Sequence, residues 1–179
     1  MPKYDVVIIG SGLGGLACGN ILSKEGMNVC ILEKQHQFGG NLQTFKRDGK
    51  VFDTGIHYVG GLSKGQNLHQ YFKYFGIMDK LKIRQLDKDC FDKISFGGKE
   101  YCFAQGFDQF IETLSRDFPS EKDSLKEYKK QIKNICSYFP LYNLRPHTDE
   151  DNEQYYYERN VGDFLQSITS NKVLQNVLA

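Results

Sequence analysis

The sequence predicts an α/β fold, and three features of its opening carry the prediction. Residues 4–9 form a β-branched apolar run with no polar alternation past Asp5, the pattern of a parallel strand covered on both faces. Gly10-Ser11-Gly12-Leu13-Gly14-Gly15 follows at once and meets the spacing G-x-G-x-x-G through Gly10, Gly12 and Gly15. A second apolar strand at 28–33 ends in an acid, Glu33, twenty-one residues after Gly12. Strand, glycine turn, helix, strand and terminal acid in register define a Rossmann-like βαβ unit with a dinucleotide site.

Each part of that unit has its own physical task. Gly10 makes the tight turn, Gly12 lets the backbone approach a pyrophosphate, and Gly15 allows the helix to pack closely on the strand. The helix runs over 13–25, with Gly14 in its first turn, a small apolar side at Leu16, Ala17, Gly19, Ile21 and Leu22, and Gly26 as its stop. Its opening amides and its dipole favour phosphate charge. A carboxylate at Glu33 accepts hydrogen bonds from an adenosine ribose and disfavours a 2'-phosphate. Glycine-rich turns also occur in flavodoxin-like and other α/β folds, so the glycines alone do not decide the ligand.

Composition sets outer bounds. The chain has 179 residues, 40% hydrophobic and 25% charged, enough for a core, and a net charge of +1 gives no reason to expect nucleic acid. Its five cysteines, at 18, 30, 90, 102 and 136, make no C-x-x-C and no zinc spacing. Cys18 and Cys30 read as small buried hydrophobes, and a reducing, cytoplasmic compartment is the default. The N-terminal apolar run is only a strand long, so no secretory signal is expected. No window approaches the roughly 18–20 apolar residues of a membrane span, which leaves peripheral membrane contact open. Thirteen phenylalanines and eleven tyrosines, without tryptophan, suit an apolar cavity lining and ordinary core packing about equally.

Beyond Glu33, Lys34 opens a polar turn that leads to Gly39-Gly40-Asn41, either an ordinary loop or a backbone passing close to a ligand. Short strands at 42–46 and 50–53 flank Asp48-Gly49, a hairpin turn. The run Asp53-Thr54-Gly55-Ile56-His57-Tyr58-Val59-Gly60-Gly61 is rich in glycine and hydrogen-bonding side chains, the kind of loop that carries sites. A helix is expected at 67–75, a strand at 81–86, and a hairpin of 90–96 with 99–103 across Gly97-Gly98. Asp108 is read as the N-cap of a helix reaching Phe118, and Ser120 with Asp123 as a capping box for a helix carrying Leu125, Tyr128, Ile132, Ile135, Cys136 and Phe139. The opposite face holds Lys126, Lys129, Lys130 and Lys133, a solvated face ahead of a surface for acidic partners or lipid headgroups. Residues 145–158 read as a polar loop, and Asp163 as the cap of a last helix with Phe164, Leu165, Ile168, Val173, Leu174 and Val177 inward. With no strand returning to the sheet after that helix, the expectation is part of a doubly wound domain. Residues 1–80 are assigned to the dinucleotide-binding part and 81–179 to the start of a substrate-side α+β region.

The stretches VVIIGSGLGGLACGNILSKEGMNVCILEK, FGGNLQTF and DGKVFDTGIHYVGGL resemble the opening of the phytoene desaturase and all-trans-retinol 13,14-reductase (retinol saturase) family of flavoproteins. The form FDTGIHYVGG resembles the retinol saturase branch more than ordinary carotene desaturases. The resemblance implies FAD as cofactor, with NAD(P)H a candidate electron donor, and an apolar polyene or isoprenoid as substrate. It implies that Gly10, Gly12, Gly14 and Gly15 hold the pyrophosphate, Glu33 the adenosine ribose, and Gly39 and Gly40 the region of the diphosphate. Many relatives have arginine where this chain has Asn41, which leaves Lys34 or Arg47 to supply a cation. Asp53, Thr54 and Gly55 are then expected toward the ribityl chain or flavin ring, and His57 and Tyr58 toward flavin and substrate as catalytic groups. From its residue type alone, His57 is either a proton donor or a structural histidine of a glycine-rich loop. The rival expectations are desaturation in place of reduction, an amine-oxidase-like flavoenzyme, NAD as the direct ligand, and a chain that is inactive alone. No G-x-S-x-G, H-E-x-x-H or P-loop lysine motif is present, which removes hydrolase, zincin and nucleoside-triphosphatase readings. No metal spacing connects the histidines.

Overall fold

The computed structural model describes residues 3–148 and 157–179, and the chain divides into two compact units, Met1–Lys82 and Ile83–Ala179. In the first unit, strand β1 (Val6–Ile9), helix α1 (Leu13–Lys24) and strand β2 (Val29–Leu32) form the βαβ crossover. The strands are parallel, with Val6 opposite Val29 and Ile9 opposite Leu32, and the Gly10 amide extends the ladder to the Leu32 carbonyl at 2.7 Å. Helix α1 covers one face of this pair. Gly19 is the contact point, since a Cβ there would stand 2.8 Å from Ile31 Cδ1. The other face is bare. Val7, Ile9 and Leu32 are exposed, Ile9 by 90%. Among the described residues α1 alone lies on a face of β1, so the second cover expected for this strand is not found among them. Cys18 is also exposed rather than buried, and Cys30 is half-buried.

The rest of the first unit is a hairpin and a short helix. Strands β3 (Thr44–Arg47) and β4 (Lys50–Asp53) pair antiparallel around Asp48-Gly49, both at positive φ as a tight hairpin turn requires. Phe45 and Phe52 sit opposite each other in the ladder and stack at 5.3 Å. After the loop of 54–66, helix α2 (Asn67–Tyr74) ends at Gly76. Lys24 of α1 ties the two helices together, with its ammonium on the Tyr74 carbonyl and over the Tyr74 ring.

Across the boundary between the units, 81–86 is not a strand, since no strand among the described residues pairs with it. The Gln105 side chain instead holds the Leu86 and Asp87 carbonyls at 3.0 and 3.2 Å. In the second unit, strands β5 (Asp92–Phe96) and β6 (Lys99–Phe103) form the hairpin across Gly97-Gly98. A disulfide joins Cys90 to Cys102, against the expectation of reduced cysteines. Helices α3 (Phe107–Asp117), α4 (Lys122–Ser137), α5 (Pro140–Asn143), α6 (Val161–Ile168) and α7 (Lys172–Leu178) complete the unit. Its core gathers Tyr101, Ile111, Leu114, Phe118, Leu125, Leu174 and Val177. Tyr101 stacks on Phe118 at 5.3 Å, and a line of rings runs from Phe103 through Phe110 and Tyr128 to Phe164.

The helix caps differ from the expected ones by a few residues. Gly106 occupies the N-cap of α3, while Asp108 lies in its first turn and pairs with Lys129 at 2.5 Å. The Ser120/Asp123 box does not form, because Pro119–Glu121 is a 3-10 turn and Asp123 pairs with Lys126. Asn160, not Asp163, caps α6, and Asn171 starts α7, so the expected last helix is two. Of the lysines on α4, Lys122, Lys126, Lys129 and Lys130 each meet a carboxylate, as a solvated face would have it. The polar loop expected at 145–158 falls largely on 149–156, outside the described residues. Among the described residues no helix is long and apolar enough to cross a membrane.

The Cys90–Cys102 cross-link closes a separation of 12 residues, a size at which a disulfide contributes about 3 kcal/mol. Dithiothreitol is expected to lower the denaturant midpoint of the second unit by a corresponding amount. The double variant Cys90→Ser/Cys102→Ser should show one midpoint, with or without reductant.

Candidate functional site

The site is built where β1 gives way to α1. Gly10 has φ +97°, a conformation that lets the chain reverse immediately after the strand. Gly12 is the N-cap of α1, with no side-chain cap and no acid in the first turn, so the opening amides of the helix have no side-chain acceptor at that cap. A Cβ placed on Gly10, Gly12 or Gly14 would meet nothing within 4 Å. One on Gly15 would overlap the Gly10 carbonyl oxygen. The turn is thus closed on the side of the sheet and open on the side of the amides, which is the shape a diphosphate requires.

Two further segments fold back onto this turn. Gly39 donates its amide to the Ser11 carbonyl at 3.0 Å and to the Ser11 hydroxyl at 3.2 Å. Gly40, at φ +56°, lies so close that a Cβ would stand 3.1 Å from Gly12 Cα. Asn41 follows in a 3-10 turn (Gly40–Leu42), and a Cβ on Gly55 would be 3.0 Å from its carbonyl oxygen. The Thr54 amide bonds the Gln43 carbonyl at 3.1 Å, which docks the end of β4, with Asp53, on the same turn. The structure therefore brings together Gly10, Gly12, Gly14, Gly15, Glu33, Gly39, Gly40, Asn41, Thr54 and Gly55. Lys34, His57 and Tyr58 are exposed, Lys34 just past β2 and the other two on the loop of 54–66.

Glu33 is the electrostatic centre. Its Oε2 accepts the Ser11 hydroxyl at 2.5 Å and the Ser11 amide at 2.9 Å, and its Oε1 accepts the Gln35 amide at 2.8 Å. The Ser11 hydroxyl is the largest influence holding this carboxyl down to about 2 from the ordinary 4.5. The Gln35 and Ser11 amides follow, burial opposes them, and the Lys34 amide adds a weaker pull. Since a carboxylate offers roughly four acceptor positions, Oε1 is the oxygen with room for a ribose hydroxyl. A permanent negative charge there also repels a 2'-phosphate. Ser11, 3% exposed, was legible only as a variable position of the glycine motif. A hydroxyl next to the first glycine, facing an acid at the end of the next strand, is the signal that could have singled it out.

A Rossmann-like crossover with this cradle is the architecture of a nucleotide-cofactor site. The NAD(P)-binding Rossmann-like domain model matches residues 8–75. The all-trans-retinol 13,14-reductase of Homo sapiens is 38% identical over 146 residues, 77% of this chain and 23% of that protein. Prolycopene isomerase 2 of an Oncidium hybrid cultivar, a chloroplast protein, is 32% identical over 140 residues, 74% of this chain and 23% of that protein. With such identities over three quarters of its length, the chain belongs to the retinol reductase and phytoene desaturase family. It spans about a quarter of the length of these relatives. A redesigned putrescine oxidase shares the fold, with a TM-score of 0.55 at 20% identity over 96% of this chain and 35% of that one.

Two outcomes follow from the geometry. Gly15→Ala forces a methyl onto the Gly10 carbonyl and should destabilise the first unit by about 1–3 kcal/mol, measured by chemical denaturation. Because the Glu33 pKa is depressed on folding, its contribution is complete above the unfolded value near 4.5 and is lost as pH falls through about 2. Carboxyl carbon NMR should find the Glu33 midpoint near 2, and Glu33→Gln should remove that part of the acid dependence of stability.

Proposed function

We propose that this chain forms the nucleotide-binding part of an FAD-dependent oxidoreductase that acts on a carbon–carbon double bond of an apolar polyene or isoprenoid, in the manner of a retinol saturase. The observation that supports it most is the joining of two glycine segments to an ionised acid at the end of β2. Similarity to a retinol 13,14-reductase adds the reaction class. In this reading Gly10, Gly12, Gly14 and Gly15 present amides and open space to the diphosphate, and Gly39, Gly40 and Asn41 approach it from the other side. Glu33 takes the adenosine ribose, and Lys34 is the nearest cation in sequence. Asp53, Thr54 and Gly55 line the path toward the flavin ring.

Bound FAD would supply two-electron transfer to or from the double bond. His57 and Tyr58 are assigned to the substrate side, where a proton held on the imidazole or phenol complements that transfer. NAD(P)H is the electron donor in the reductive direction. The split into a nucleotide-binding part at 1–80 and a substrate-side region from 81 belongs to the same proposal, as does peripheral contact with the membrane that would hold an apolar substrate.

A second reading, phytoene-type carotenoid chemistry, is favoured by the similarity to a prolycopene isomerase. The polypeptide carrying this sequence is expected to release FAD on denaturation, identified by mass, and release of NAD alone would sink the flavin assignment. With reductant present, all-trans-retinol should lose conjugated absorbance, whereas consumption of a carotenoid in its place selects the second reading. His57→Phe should lower turnover by about 10²-fold at unchanged flavin content.

A further inference from the structure

We infer that Ser11 is a positioning residue of the nucleotide site: its hydroxyl holds the Glu33 carboxylate in place for an adenosine ribose and ties that carboxylate to the second glycine segment. The inference rests on the dinucleotide reading of this site. The motif spacing asks nothing of position 11, yet the side chain there is 3% exposed and bonded on both sides. Its hydroxyl donates to Glu33 Oε2 at 2.5 Å and accepts the Gly39 amide at 3.2 Å. Its main chain repeats both links, the amide to Glu33 Oε2 and the carbonyl from Gly39. One residue thus connects the end of β2, the first glycine turn and the Gly39–Gly40 segment. A hydroxyl that accepts from an amide and donates to an anion polarises both hydrogen bonds.

The functional consequence is preorganisation. An unheld glutamate at a strand end would sample several rotamers and lose that freedom when a ribose binds. With two donors on Oε2 and one on Oε1, Glu33 is fixed before the ligand arrives, and Oε1 is left as the oxygen with room. The same serine holds Gly39 beside it while Gly40 rests on Gly12, so the diphosphate and ribose subsites share one latch. Alanine at this position keeps the main-chain links and removes only the hydroxyl, which separates positioning from folding of the turn.

The test compares wild type, Ser11→Ala and Ser11→Thr, with FAD affinity measured by fluorescence titration from pH 7 down to pH 4. Wild type should bind FAD with little change over that range, since Glu33 stays ionised to about 2. Ser11→Ala should bind about 10-fold more weakly at pH 7 and weaken further as pH falls toward 4.5. In the ligand-free protein its Glu33 carboxyl should titrate closer to the ordinary value, and the Gly39 amide should exchange faster. Ser11→Thr, which keeps the hydroxyl, should restore the affinity and the flat pH profile. A Ser11→Ala protein with wild-type affinity and pH profile overturns the inference alone. Failure of wild type to bind either FAD or NAD overturns the dinucleotide reading, and the inference with it.

Discussion

Everything at the nucleotide end of this chain depends on how closely α1 can approach the β1–β2 pair. Only three residues separate the helix from the strand, so its first turns pass close over the Gly10 backbone and the side chains of Ile8 and Ile31. Gly15 and Gly19 make that possible, one beneath the Gly10 carbonyl and the other against Ile31 and Ile8. A methyl at Gly15 would push the helix outward and turn its opening amides away from a common centre. The cost of two glycines in a helix is about 1 kcal/mol each, and it is offset by the packing of Ile8 and Ile31 against the space they leave.

The second layer of organisation is polar. Once the turn is fixed, Ser11 and Glu33 connect it to the end of β2 and to Gly39, and the glycine pair that follows brings Asn41 and Gly55 into contact. Four stretches of sequence, around residues 11, 33, 40 and 55, are held within one network by main-chain groups as much as by side chains. This is why Gly15, Gly40 and Gly55 leave so little room for a Cβ. It also explains why the acid is held so far below its usual range although it is only half-buried: three good donors outweigh the modest desolvation.

Much of the fold was legible because it is locally encoded. The βαβ unit announces itself by apolar strands and glycine spacing, and the two hairpins by Asp48-Gly49 and Gly97-Gly98. What was not legible depends on neighbours. The bare face of β1 follows from the absence of a second covering layer, which no run of valines and isoleucines can report. The strand expected at 81–86 lacked a partner. Caps moved because Gly106 and Asn160 compete with Asp108 and Asp163 for the same helix ends, and a shift of one to three residues is invisible to pattern. Cys90 and Cys102 carry no motif: Cys102 lies in β6 opposite Lys93, and Cys90, just before β5, meets it only once the hairpin has formed. At the site, the glycines and Glu33 stood out by spacing, whereas Ser11 did not, since its importance lies in two hydrogen bonds across 22 and 28 residues of chain.

The uncovered side of the β1–β2 ribbon has a further consequence. Val7, Ile9 and Leu32 present an apolar strip on a short parallel pair to which no third strand is added among the described residues. Such a strip is a template for adding strands, and it does not discriminate between a proper neighbour and another unfolded chain. In any polypeptide that leaves this strip exposed, self-association of the first unit would therefore start at the β1–β2 ribbon.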